Sequence, residues 1–119
     1  MPTDLLTRAR NAVTRDEECA VIRAAVCHFI TDAAQRLPLT DIIVDVRSGR
    51  APAAVLPGVV AALARGLWTV SSEDGDAHAR YMPAGHDGSF VGGEYREADA
   101  FTAALALLIA IMEAGNAEA

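Results

Sequence analysis

Lysine is absent from this 119-residue chain, and all ten of its cations are arginines. A Walker-type phosphate lysine, a Schiff base and a lysine general base are therefore all closed to it. Arginine in place of lysine throughout is also what a GC-rich coding sequence produces. Cysteine is scarce, with two residues, and aromatics make up 5% of the chain. Cys19 and Cys27 stand eight apart in a helical stretch, about 12 Å by the helical rise. That is too far for a disulfide, so both read as buried structural cysteines and not as catalytic thiols. Long hydrophobic runs are missing too. The longest, Ala103 to Met112, is about half of what a membrane-crossing helix needs. No basic start leads into an apolar stretch and a cleavage site, so the expectation is a cytoplasmic protein with no membrane partner.

What is present is a globular composition. Apolar residues make up 52% of the chain, which excludes disorder and supplies one domain with a core that needs neither disulfides nor a metal. Charge is uneven. Residues 1–60 carry seven Arg and seven acids, whereas residues 61–119 carry three Arg against nine acids, so the net charge of −6 belongs to the second half. Such a surface repels phosphate backbones and suits basic partners. Direct nucleic-acid binding is disfavoured, and binding to a nucleic-acid-binding protein is allowed. Acidity that serves only solubility is the plain alternative.

Periodicity and caps give the elements. Thr3 can cap a short helix with Leu5, Leu6, Ala9 and Val13 on one face. Thr14 and Glu17 form a capping box, followed by a core-facing stripe of Cys19, Ile22, Val26, Phe29, Ala33 and Leu37 that ends before Pro38. Residues 39–47 fit either a strand, through Ile42, Ile43, Val44 and Val46, or a short helix capped by Thr40; β-branching tips the reading to a strand. Residues 48–52 read as a turn dividing an N-terminal helical part, 1–48, from a part at 49–119 ordered helix, three strands, helix. Pro57 opens the first of those helices, which Gly66 closes.

Asp74-Gly75 is a two-residue hairpin turn, and it fixes a register. Trp68, Val70 and Ser72 fall opposite Tyr81, Ala79 and Ala77 on a core face. Thr69, Ser71 and Glu73 fall opposite Arg80, His78 and Asp76 on a polar face. A third strand is expected over 89–96, with Gly92-Gly93 as a bulge. Asp99 then caps a last helix, Ala100 to Ala114, stopped by Gly115-Asn116. The fold class is α+β: a three- to four-stranded antiparallel sheet packed against helices. The last helix is apolar nearly all round, so it is either sandwiched in the core or the interface of a homodimer.

Candidate sites are sparse. Adjacent Cys27 and His28 point about 100° apart on a helix, which is poor geometry for a nucleophile and its base. His28, His78 and His86 lack a compact metal spacing, although His78, His86 and Asp87 could meet across a strand and its following loop. Glu73-Asp74-Gly75-Asp76 lacks the further ligands of a calcium loop. The glycines between 85 and 93 lack the lysine and following helix of a phosphate loop. No cofactor is expected. Helix, three strands and helix is the element order of double-stranded RNA-binding domains, but Glu94, Glu97 and Asp99 stand where those are basic, so RNA binding is not carried over.

The candidate partner-binding residues are Glu73, Asp74, Asp76, His78, Arg80 and Asp87, on the hairpin and the loop after it. In size, acidity and lack of active-site motifs the whole chain resembles phage-encoded inhibitors such as anti-CRISPR proteins, whose targets are basic nucleic-acid-binding effectors. The resemblance is carried by composition, and it transfers no functional residue. It implies an inhibitor that binds a basic protein without catalysis, in the host cytoplasm if phage-encoded. A bacterial immunity protein or antitoxin fits the same description. The reading of another class is a small cysteine- or metal-dependent enzyme.

Overall fold

The capping box at Thr14 forms as its residues dictate. In the computed structural model, which describes residues 2–64, 66–73, 76–83 and 95–118, Thr14 Oγ1 accepts the Glu17 backbone N–H at 3.1 Å and opens helix α2, Arg15–Phe29. Helix α1, Pro2–Asn11, precedes it and buries Leu5 and Ala9. Val13, expected on that face, lies past the helix end and is exposed.

Beyond α2 the chain departs from the expected single stripe. Ile30 is extended, and Asp32 starts helix α3, Ala33–Arg47, by accepting the Ala34 N–H at 2.9 Å. Cys19, Ile22 and Val26 are buried, but Phe29 is exposed and Leu37, now in α3, is 61% exposed. The strand reading of 39–47 is overturned. Leu39, Ile42, Ile43 and Val46 recur at helical spacing, and all four pack on the core. Pro38 lies within α3. Near a helix start it forfeits one backbone bond, and the Thr40 hydroxyl donates to the Leu37 carbonyl at 3.0 Å beside it.

Gly49 takes a left-handed φ of 81°, which reverses the chain after α3 as the turn at 48–52 predicts. A 3₁₀ turn, Ala53–Val55, leads into helix α4, Leu56–Ala61, with Pro57 in its first turn. That helix ends before Gly66, which instead opens strand β1, Gly66–Glu73. Glycine is needed there for close approach, because a Cβ would sit 2.4 Å from the Met82 carbonyl oxygen.

The hairpin register is the one set by the turn. β1 pairs antiparallel with β2, Asp76–Pro83, and every pair from Gly66↔Pro83 to Glu73↔Asp76 follows it, Trp68↔Tyr81 and Ser71↔His78 included. Asp74-Gly75 itself lies outside the described residues. So does most of the stretch expected as the third strand. Strand β3 is Arg96–Ala100, and the sheet order is β1-β2-β3. Asp99 is consequently a strand residue paired with His78, not a helix cap. Thr102 takes that role, its Oγ1 accepting the Leu105 N–H at 3.2 Å. Helix α5, Ala103–Glu118, follows and continues through Gly115-Asn116, where a stop was expected.

α5 is the centre of the α+β architecture. Every residue from Ala104 to Met112 is buried, with the sheet on one side and α1 and α4 on others. Under it the sheet presents Ala77, Ala79, Ala98 and Ala100, whose small side chains let the helix approach closely. A homodimer through this helix would need a face that 104–112 does not leave uncovered. One hydrophobic cluster runs from Leu5 to Ala114, so 48–52 is a turn within a shared core.

Candidate functional site

Side chains on successive strand residues point to opposite faces. With Ala77, Ala79 and Tyr81 turned to α5, β2 presents Asp76, His78 and Arg80 on its other face, and β3 presents Glu97 and Asp99 beside them. No described helix covers this outer face. Across it the charges interlock. His78 Nδ1 lies 2.7 Å from Asp99 Oδ1, and His78 Nε2 lies 3.2 Å from Glu97 Oε1. The same Glu97 oxygen accepts from Arg80 Nε at 3.0 Å. The Arg80 guanidinium stands 5.1 Å from the centre of the Tyr95 ring, within cation–π range. Leu67 and Tyr95, each 45% exposed, are apolar groups on the strand neighbouring the charges and just ahead of β3.

These contacts favour the charged form of His78. Its pKa is raised above the ordinary histidine value, first by the hydrogen bond to Asp99 and further by that to Glu97. When the ring is protonated, both of its nitrogens can donate to these carboxylates. The register also lines up Ser71, His78 and Asp99 as neighbours across three strands. That is the residue order of a nucleophile, a base and an orienting acid. The geometry does not follow it. The ring nitrogen that would have to face a serine faces Glu97 instead, so both nitrogens are engaged by carboxylates. What the cluster does chemically is hold a patterned charge surface in place.

The six candidate partner-binding residues separate. Asp76, His78 and Arg80 share the outer face. The Glu73 backbone closes β1 opposite Asp76, while Asp74 and Asp87 lie outside the described residues, as does His86 and hence the cluster of His78, His86 and Asp87. Glu97, Asp99 and Tyr95 were missed as members of this face. The signal for the two acids was the alternation Glu97-Ala98-Asp99-Ala100, small residues against charged ones, hidden by reading Asp99 as a cap.

Two other places concentrate chemistry. Glu18 is 1% exposed, and its carboxylate accepts from the Arg15 guanidinium and the Thr102 hydroxyl. The pair borders an open cleft of about 270 Å³ lined also by Ser72 and Phe101. Arg15, Glu18 and Thr102 are partnered with one another, and the role that follows is to tie α2 to the cap of α5. The second place is a groove of about 360 Å³ between α2 and α3, lined by Cys19, Arg23, Cys27, Ile43, Val44 and Arg47. Burial pushes the Cys19 thiol pKa up, with Glu18 adding to it, so the thiolate is disfavoured. Cys27 is exposed, contrary to the expectation that both cysteines are buried.

Among the described residues no group of three or more His, Cys, Asp and Glu is arranged to hold a metal ion, and no helix is long and apolar enough to cross a membrane. No family model, curated protein or solved structure matches this chain.

Proposed function

We propose that this is a small protein-binding protein that acts by occupancy through the outer face of its sheet, on a basic surface of a nucleic-acid-binding protein. Inhibition of such an effector, as anti-CRISPR proteins achieve it, is the role that fits. The observation that carries the reading is a strand face that no described element covers. Asp76, Glu97 and Asp99 are displayed there with His78 and Arg80 on a rigid scaffold, within a half of the chain that has nine acids to three Arg. Complementary charge speeds encounter and fixes orientation more than it adds affinity. Leu67 and Tyr95 supply the apolar contact that charges alone do not.

Affinity capture from the native host followed by kinetics tests this. The captured partner should be basic and nucleic-acid-binding, and its association rate should fall as salt rises, since exposed charges are screened beyond about 10 Å at 0.1 M. Glu97→Arg combined with Asp99→Arg should slow association at low salt and flatten the salt dependence, with the fold intact. A partner that binds the doubly reversed protein equally fast at low salt overturns the reading.

A further inference from the structure

The groove between α2 and α3 is the place where the charge of the molecule reverses. Its walls are Ala20, Ala24, Ile43 and Val44 with the thiols of Cys19 and Cys27, and its charged groups are Arg23 and Arg47. Two cations and no carboxylate line it, in a chain whose net charge is −6. Arg23 has neither a hydrogen bond nor an ion pair among the described residues. Arg47 has one partner, Asp16, whose Oδ1 lies 3.3 Å from its Nε; both side chains are exposed, and such a pair is worth little in water. The pair also sets a direction. It puts Arg47 at the end of the groove where α2 begins, and from there Cys19, Arg23 and Cys27 follow one another at single-turn steps along one side of α2. Charge is gathered toward one end, and small apolar side chains continue toward Cys27.

We infer that this groove binds an amphipathic anion, a carboxylate carried on a medium-length acyl chain, with its head between Arg23 and Arg47 and its chain lying on Val44 and Ala24 toward Cys27. An apolar lining with a few placed polar groups, at about 360 Å³, is what small-molecule sites have. The shape selects among ligands. A helix, about 10–12 Å across, is too thick for a groove of this volume, whereas one extended chain fits the rise of about 12 Å from Cys19 to Cys27. The chemistry selects further. A small polar anion would leave the apolar walls in water, and an uncharged chain would leave Arg23 without a partner; a carboxylate on a chain satisfies both, because a guanidinium donates two parallel N–H bonds to a carboxylate. The site lies between helices and leaves the outer face of the sheet free, so it stands independently of the function proposed above.

Cys27 supplies the readout, because it is exposed and lines the groove while Cys19 is buried. Decanoate, kept below its micelle concentration, should slow the alkylation of Cys27 by iodoacetamide several-fold at saturation, and calorimetry should give one site per chain. Acetate, which has the head without the chain, should not protect the thiol. Neither should decyltrimethylammonium, which has the chain with the opposite charge. Arg23→Gln should weaken decanoate binding about tenfold, and Asp16→Asn, which releases Arg47, should tighten it. Val44→Trp, at an exposed position, should fill the groove and abolish protection with the thermal midpoint unchanged. Failure of decanoate to protect Cys27 overturns the inference. So does equal protection by the ammonium compound, which would be adsorption of the chain alone, or protection that is undiminished in both Arg23→Gln and Val44→Trp, which would put the ligand elsewhere.

Discussion

The two faces of the sheet obey opposite rules. Toward α5 the strands offer Ala77, Ala79, Ala98 and Ala100, and toward solvent they offer His78, Arg80, Glu97 and Asp99. One face is nearly featureless so that a helix with no polar side can lie against it. The other is fully elaborated and covered by nothing described. Along β2 the change from one rule to the other happens at every residue, so a single-residue slip would exchange core and surface. The difference teaches that the helix sets what the inner face must be, whereas nothing in the fold requires the outer face to be so densely charged.

The strongest way to break that comparison is to put one new residue on both faces. Ala79→Asp places a carboxylate under α5 at a fully buried position and should cost on the order of 4 kcal/mol, because an unpaired charge is buried. Thr69→Asp, on the outer face beside Arg80, should shift stability by less than about 0.5 kcal/mol. Urea midpoints decide this. Equal losses for the two variants would abolish the distinction between the faces.

Glu18 is the exception that sharpens the rule, a charge on the inner side of the molecule. It is held there by Arg15 and by Thr102, the residue that caps α5. Glu18→Ala strands the Thr102 hydroxyl next to a void and should cost about 2 kcal/mol, and Glu18→Gln, which keeps an acceptor, should cost less. Chemical denaturation measures both. If the alanine variant is as stable as wild type, the start of α5 is held by packing and not by this carboxylate.

Much of this arrangement was legible in the sequence and some was not, for identifiable reasons. The hairpin register was readable because an Asp-Gly turn leaves only one pairing, and the all-apolar α5 announced its burial. The α3 error came from weighing the β-branching of Ile42, Ile43, Val44 and Val46 above the helical spacing of Leu39, Ile42, Ile43 and Val46; packing on α2 decided for the spacing. Pro38 compounded it, since a proline at the sixth residue of a helix forfeits a backbone bond and ordinarily reads as a break. Asp99 was mistaken for a cap because Thr102, three residues on, was not weighed against it. With Asp99 read as a cap, the β3 part of the outer face was invisible, and only the residues of the hairpin were found on it. Glu18 looked like one more acid favouring the start of α2. Its place four residues before Ile22, on the buried side, was the overlooked sign.

The smallest expected effect concerns the charge of His78. Because its folded pKa lies above the ordinary value, through Asp99 first and then Glu97, the stability it contributes is complete below about pH 6.5 and is lost as pH rises through the folded value. The stability difference between wild type and His78→Gln should therefore shrink over that window. The group is exposed enough that the change will be modest. The titration is better followed at the imidazole by NMR, where Asp99→Asn should lower the midpoint more than Glu97→Gln does. A wild-type midpoint at or below the ordinary histidine value would show that the two carboxylates do not hold the ring. The sign carries over to binding. Deprotonation makes the outer face more negative by one charge while the inner face is untouched, so association with a basic partner should quicken as pH rises through the His78 midpoint, and His78→Gln should lose that dependence. An association rate that instead falls over the same window would mean that the imidazolium itself meets an acidic group, and that the partner of this face is not the basic surface its carboxylates suggest.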